Sequence, residues 1–247
     1  MKYSIIVPTL NCRSEIELLL ESMLAHNIHK ESDLEVIIVD ADSDDGTKET
    51  IKSHSFPRLI VEKGITKGMA RTRGVQKAKG NIIVNLDSDV EITEEWLPAL
   101  KESMKHNQIV AGYSPHPKRG FIPRASIWID GQDITFPFCN IAHRKSVFGK
   151  VGFIKDTELS EDIDFNYKCV KAGYSIIYNP KMKVLHFHTQ NKKEFLKQAF
   201  LYGRCRYQIN KRFPDLKKKQ FPFVKKLTRF GFAGLGYMYE GIKNERN

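Results

Sequence analysis

Long apolar runs are missing from this chain of 247 residues. No stretch approaches the roughly 20 apolar residues that a bilayer-spanning helix needs. The opening Met1-Lys2-Tyr3-Ser4-Ile5-Ile6-Val7-Pro8 is apolar for only a few residues before a proline, too short for a secretory leader. Cysteine is scarce and scattered: Cys12, Cys139, Cys169 and Cys205 form no CxxC pair, which argues against a zinc ribbon or a disulfide scaffold and fits a reducing compartment. No internal repeat or low-complexity linker is visible, so a repeat array is excluded and one principal domain is expected. Acidic residues are outnumbered in one region only. Residues 1–190 balance 25 basic against 25 acidic residues, whereas 191–247 hold 15 basic and 4 acidic, and so carry the whole formal charge of +11. A uniformly basic nucleic-acid-binding domain is thereby disfavoured, and no nucleic acid partner is expected. The expected location is cytoplasmic, either soluble or peripheral on the cytoplasmic face of a membrane.

What is present is a regular alternation. Tyr3 to Pro8 is β-branched and apolar, and Ser14 opens a helical pattern with Ile16, Leu19, Leu20, Met23 and Leu24 at three- and four-residue spacing. Leu34 to Asp40 is a continuous apolar run ending in an acid, as a buried parallel strand would be. Thr47 to His54 reads as a short helix, Arg58 to Glu62 as a strand, Gly68 to Lys79 as a helix and Asn81 to Asp87 as a fourth strand. A further helix starts near Thr93. This order predicts an α/β fold with a mostly parallel sheet covered by helices on both faces, and ligands in such sheets bind beyond the carboxyl ends of the strands. The second half is less regular: a helix from Glu161 to Ala172 and a strand pair around Tyr174 to His188 are expected, followed by a helical, loosely appended C-terminal segment.

Two strand ends carry acids. Asp87-Ser88-Asp89 presents two carboxylates that can share a hard divalent cation, although two solvated acids in a turn would look the same. Asp40, Asp42, Asp44 and Asp45 form a second cluster, some of which serve as turn and cap residues; Asp40, directly at the strand end, is expected to face a ligand. Glu161 and Asp162 suit the first turn of a helix through its dipole, or a general base that takes a proton from an acceptor hydroxyl. His186 and His188 alternate on a strand and so share a face, which favours a metal or phosphate role over that of a lone structural histidine.

Together these pieces resemble a family 2 glycosyltransferase of the GT-A fold. The matching segments are Ser4 to Asn11, Val39 to Thr47, Gly68 to Gly74, Asn85 to Asp89, Asn140 to Lys145, Glu161 to Asp164 and Val184 to His186, in the family's order over about residues 3–190. The resemblance implies an inverting transfer of one sugar from a nucleotide diphosphate sugar donor. It implies that Pro8, Thr9, Asp40, Asp42, Arg71, Asp87 and Ser88 line the donor pocket. Asp89, Asp87 and His186 would hold Mg²⁺ or Mn²⁺, and Asp162, with Glu161 beside it, would be the base. Two departures stand out: Ala41 occupies a position where the family usually has an acid, and the QxxRW signature of processive synthases is absent, which favours transfer of a single sugar.

The organisation expected is a glycosyltransferase domain over 1–190, with a nucleotide-binding half to about 110 and an acceptor and catalytic half after it, followed by a basic helical extension over 191–247. A nucleotidyltransferase is the alternative enzyme, but it would show a glycine-rich loop after the first strand, where Pro8-Thr9-Leu10-Asn11-Cys12-Arg13 has no glycine. A non-catalytic sugar-nucleotide or membrane-surface binding protein is the other alternative, and intact Asp89, Asp162 and His186 argue against it. Between Lys211 and Arg229 lie eight Lys or Arg with interleaved phenylalanines, and Phe230 to Tyr239 is uncharged. Residues 211–239 are therefore expected to meet an anionic membrane surface and bring the site to a lipid-linked or membrane-proximal acceptor. The segment Gly112 to Gln132 is expected to touch that acceptor.

Overall fold

The computed structural model describes residues 1–115, 127–152, 161–187, 200–201, 203–204, 207–218, 235 and 238–239. The chain begins with β1 (Tyr3–Thr9), α1 (Arg13–Ala25), β2 (Leu34–Asp40), α2 (Thr47–Ser53) and β3 (Pro57–Val61). It continues through α3 (Lys67–Lys77), β4 (Ile82–Leu86), β5 (Val90–Ile92), α4 (Trp96–His106) and β6 (Ile109–Tyr113). After them come β7 (Ile127–Ile129), β8 (Gln132–Asp133), β9 (Asn140–Arg144), α5 (Lys145–Val151), α6 (Glu161–Lys171), β10 (Ile176–His186) and β11 (Lys217–Lys218). The eight-stranded sheet has the order β3-β2-β1-β4-β9-β6-β10-β5, with β7, β8 and β11 forming a small second sheet. Strands β1 to β4 are parallel, β9 runs antiparallel between β4 and β6, and β5 pairs antiparallel with β10 at the edge.

Side-chain alternation sets the two faces. Tyr3, Ile5 and Val7 of β1 join Ile16, Leu19, Leu20 and Met23 of α1 on one side, where Trp96, Leu100 and Met104 of α4 also pack. Ile6 of β1 points to the other side with Ile37, Val39 and Ile83, and α3 covers them through Ala70 and Val75. The approach of α3 is close: a Cβ on Gly74 would lie 2.3 Å from Cγ2 of Ile6, so only glycine fits there. A third cluster, under the second half of the chain, contains Phe138, Ile141, Phe165 and Cys169 together with Ile209, Phe213 and Leu216.

Two expectations from the sequence are corrected. Tyr174 to His188 does not form a strand pair; residues 176–186 make one strand that pairs with β6, shifts register between Asn179 and Lys183, and then pairs with β5. Lying between β6 and β5 in the sheet, it pairs with both, and the backbone packs tightly near the register shift: a Cβ on Gly112 would meet the Met182 carbonyl at 2.2 Å. Nor is the start of the C-terminal segment loosely appended: Ile209, Phe213 and Leu216 are buried, and Lys217–Lys218 pair with β7 as a strand.

Candidate active site

The carboxyl end of β2 meets that of β1, with Thr9 opposite Asp40. Asp40 is fully buried, and its carboxylate accepts hydrogen bonds from Thr9 Oγ1 at 2.8 Å, Ser43 Oγ at 2.6 Å and Ser43 N at 2.7 Å. It therefore ties the loop after β2 to the end of β1, at the strand end where the sequence places an acid expected to face a ligand. That loop is laced to the end of β1 by Asn11 N donating to Ser43 Oγ and by Asp44 N donating to Asn11 Oδ1. Asp45 takes the turn role expected of part of the cluster, accepting from Thr47 N and Arg13 N. Asp42, in the left-handed region at φ 72°, is partly exposed and paired with Lys48 at 2.8 Å. Pro8 is buried within β1.

Beyond β4 the partners are charged. Arg71, on α3, is 1% exposed and donates to Asp87 Oδ1. Lys67, one turn earlier, pairs with Asp87 Oδ2 at 2.8 Å. Burial alone would raise the Asp87 carboxyl, but Lys67 and Arg71 outweigh it and hold it well below the usual carboxylate range. Phe138 lies beneath the Arg71 guanidinium at 5.2 Å. Lys67 was not foreseen, although its spacing of four from Arg71 on one helix face was the available signal.

The antiparallel pairing of β5 with β10 puts His186 opposite Val90, and so beside the acids that precede β5. His186 Nε2 lies 3.0 Å from Asp89 Oδ1, and the Phe187 amide donates to the Asp89 carbonyl at 2.8 Å. One ligand atom each from Asp87, Asp89 and His186 lies within 4.8 Å of the others. Two carboxylates and an imidazole are a donor set that Mg²⁺ or Mn²⁺ accepts. Burial disfavours charge on His186, yet Cys139 and Asp89 beside it raise its pKa. Ser88, between the acids, is partly exposed. His188 lies outside the described residues.

Glu161 and Asp162 open α6, whose first turn abuts the first turn of α3: a Cβ on Gly68 would touch Glu161 Cβ at 3.5 Å. Glu161 is buried, with Oε1 3.6 Å from Arg71 Nε, so one guanidinium links the Asp87 strand end to the start of α6. Asp162 accepts from the Ile163 amide at 2.8 Å, and burial together with neighbouring Glu161 pushes its carboxyl up to about 7. Asn166 anchors the helix by donating to the Ile134 and Phe136 carbonyls. Asp87, Asp89, His186, Arg71, Lys67 and Glu161 are thus brought together. Most of the segment expected to meet the acceptor, residues 116–126, lies outside the described residues, as do most of 211–239 beyond Lys218.

Residues 4–152 match the glycosyl transferase family 2. The dolichol-phosphate mannosyltransferase of Pyrococcus furiosus is 32% identical over 124 residues, which are 49% of this chain and 35% of that protein. An uncharacterized glycosyltransferase of Haemophilus influenzae is 27% identical over 210 residues, 76% of this chain and 69% of that one. The chain thus spans about a third of the first relative and just over two thirds of the second. Among solved structures, the mannosyltransferase PcManGT from Pyrobaculum calidifontis, in complex with GDP-Man and Mn²⁺, superposes with a TM-score of 0.64 at 19% identity, covering 97% of this chain and 69% of that one. S. aureus TarS 1-349, in complex with UDP-GlcNAc, superposes with a TM-score of 0.63 at 18% identity, covering 94% and 70%. The fold is the GT-A fold of these glycosyltransferases, and the chain belongs to glycosyl transferase family 2.

Proposed function

We propose that the chain transfers one sugar, with inversion, from a nucleotide diphosphate sugar to a hydroxyl of a lipid-linked or membrane-proximal acceptor, with a divalent cation bound. The observation that carries this reading is the convergence of Asp87, Asp89 and His186 from two distant parts of the sequence. When bound, Mg²⁺ or Mn²⁺ would neutralise the charge that develops on the diphosphate leaving group. Lys67 and Arg71 keep Asp87 ionised for that role, and Asp40 shapes the nucleotide side by fixing the loop that carries Asp42. Asp162 takes the proton of the acceptor hydroxyl; a carboxyl raised to about 7 has the basicity a general base needs near neutral pH. It sits on α6, apart from the strand ends that hold the acids, which suits attack from the side opposite the diphosphate.

Support for the acceptor class comes from the relatives, which include the dolichol-phosphate enzyme and an undecaprenyl-phosphate 4-deoxy-4-formamido-L-arabinose transferase of Aeromonas hydrophila. Among the described residues no helix is long and apolar enough to cross a membrane, and Leu235, Met238 and Tyr239 are exposed. Phe213 and Leu216 are buried against the body and Lys217–Lys218 pair with β7, so peripheral attachment on anionic lipid is assigned to the basic, aromatic sequence after Lys218 and not to the whole of 211–239. The test is a panel of nucleotide sugars, including GDP-mannose and UDP-GlcNAc, assayed for donor cleavage and transfer with MnCl₂ or MgCl₂. Full turnover in excess EDTA overturns the metal role, and a product of retained anomeric configuration overturns the inverting mechanism. Sedimentation with anionic against neutral vesicles tests attachment; equal, weak binding to both overturns it.

A further inference from the structure

The first turn of α6 contains a third acid, Asp164, that the proposed chemistry does not use. Asp164 is 1% exposed, and a carboxylate that deep is costly unless it is paired. One partner is local, Lys168 at 2.6 Å, one turn along the same helix. The other is Arg212, whose Nη1 reaches Asp164 Oδ1 at 2.9 Å from 48 residues later in the chain. This contact is one of a row. Phe213 stacks on Tyr167 with ring centroids 3.8 Å apart, and Asp215 accepts from Tyr167 OH at 2.9 Å and pairs with Lys171 at 2.8 Å. Asp164, Tyr167, Lys168 and Lys171 form one stripe of α6, and the segment from Arg212 to Asp215 covers it. Phe213 and Leu216 bury the apolar side of that segment in the cluster that contains Phe165 and Cys169.

We infer that Arg212 is a positioning residue for the reaction: by pairing with Asp164 it clamps the first turn of α6 and so fixes Asp162, two residues away. The inference rests on the reading of Asp162 as the base. A helix end has backbone groups without intrahelical partners and frays first, so a carboxylate placed there needs an external hold to stay aimed. The same stretch of chain runs on into β11, which pairs with β7, so the clamp also ties the base-bearing helix to the β7–β8 hairpin. The basic C-terminal region thus begins inside the catalytic half and does not serve only as an attachment device.

The experiment uses the full chain and release of UDP from UDP-GlcNAc or GDP from GDP-mannose in MnCl₂. Arg212→Gln, which keeps most of the stem and removes the charge, is expected to lower kcat by roughly ten- to a hundredfold, the scale of a small misplacement of a reacting group, with the donor KM unchanged. Arg212→Lys is expected to recover most of the loss. In an Asp162→Asn background the Arg212→Gln change is expected to cost nothing further, because both act at one point. Hydrogen exchange is expected to quicken in residues 161–171 of Arg212→Gln while β1 and α1 stay protected; a variant that exchanges faster everywhere overturns the local clamp. An unchanged kcat, or an equal loss with and without Asp162, overturns the positioning role and leaves the base assignment standing. Normal turnover in Asp162→Asn alone overturns the base assignment instead.

Discussion

The two acidic strand ends look alike in sequence and are opposite in structure. At the end of β2, Asp40 is fully buried and satisfied by neutral donors, a hydroxyl from Thr9 and a hydroxyl and an amide from Ser43. After β4, Asp87 is satisfied by two cations, and Asp89 lies against an imidazole. Neutral donors consume a carboxylate's lone pairs and fix a loop. Charged donors keep a carboxylate ionised in a place where a cationic ligand can compete for it. The charge of the partners, which strand-end position does not reveal, separates an acid held by neutral donors from one held by cations.

The largest expected effect tests the end held by cations and an imidazole. Asp89→Ala should abolish metal-dependent donor turnover and weaken Mn²⁺ binding measured by titration calorimetry, with the melting temperature little changed; if Asp40→Asn did the same, the contrast would fail. Next, Asp162→Asn should cut turnover by roughly 10²–10⁴ while donor affinity is kept. Because the base must be deprotonated, turnover of the parent chain should fall as pH drops below about 7, and a flat profile from pH 5 to 8 would count against Asp162. At the structural end, Asp40→Ala leaves Thr9 and Ser43 with buried donors unpaired and should cost about 3 kcal/mol in urea unfolding. The smallest effect sharpens the comparison with a buried group that carries no charge. His143 is 1% exposed, lies beside Asn85 and the Arg144 carbonyl, and is pushed by burial from 6.5 down to about 4. The unfolded chain binds more protons between those values, so the contribution is complete above pH 6.5 and is lost as pH falls toward 4. Stability should drop by about 2 kcal/mol from pH 7.5 to pH 5, and the slope should flatten in His143→Gln.

Much of this was legible before the fold was known. The alternation through Met104 placed the parallel strands and their helices, because neighbouring elements there are also neighbours in sequence and periodicity is a local signal. Asp87, Asp89, His186 and Asp162 stood out as chemistry at element ends. What could not be read was pairing at long range. Nothing near Asn140 says that β9 will run antiparallel between β4 and β6, and nothing near Met182 says that one strand will shift register there and lie between β6 and β5. The fate of Asp40 depended on where Thr9 and Ser43 aimed their hydroxyls, and that of Asp164 on an arginine 48 residues away.

The order of strands in the large sheet has a consequence for how the polypeptide emerges during synthesis. Its first four strands, β3-β2-β1-β4, can assemble as soon as Leu86 is available, but β4 then has no partner on its far side until β9 arrives at Asn140. Through that interval Ile82, Ile83, Val84 and Leu86, all fully buried in the finished protein, lie along an open edge, the kind of surface that recruits strands from other nascent molecules. A fragment ending before residue 140 is therefore a poor unit to express, however complete its parallel half looks, and chaperone demand should peak while the stretch between β4 and β9 is being made.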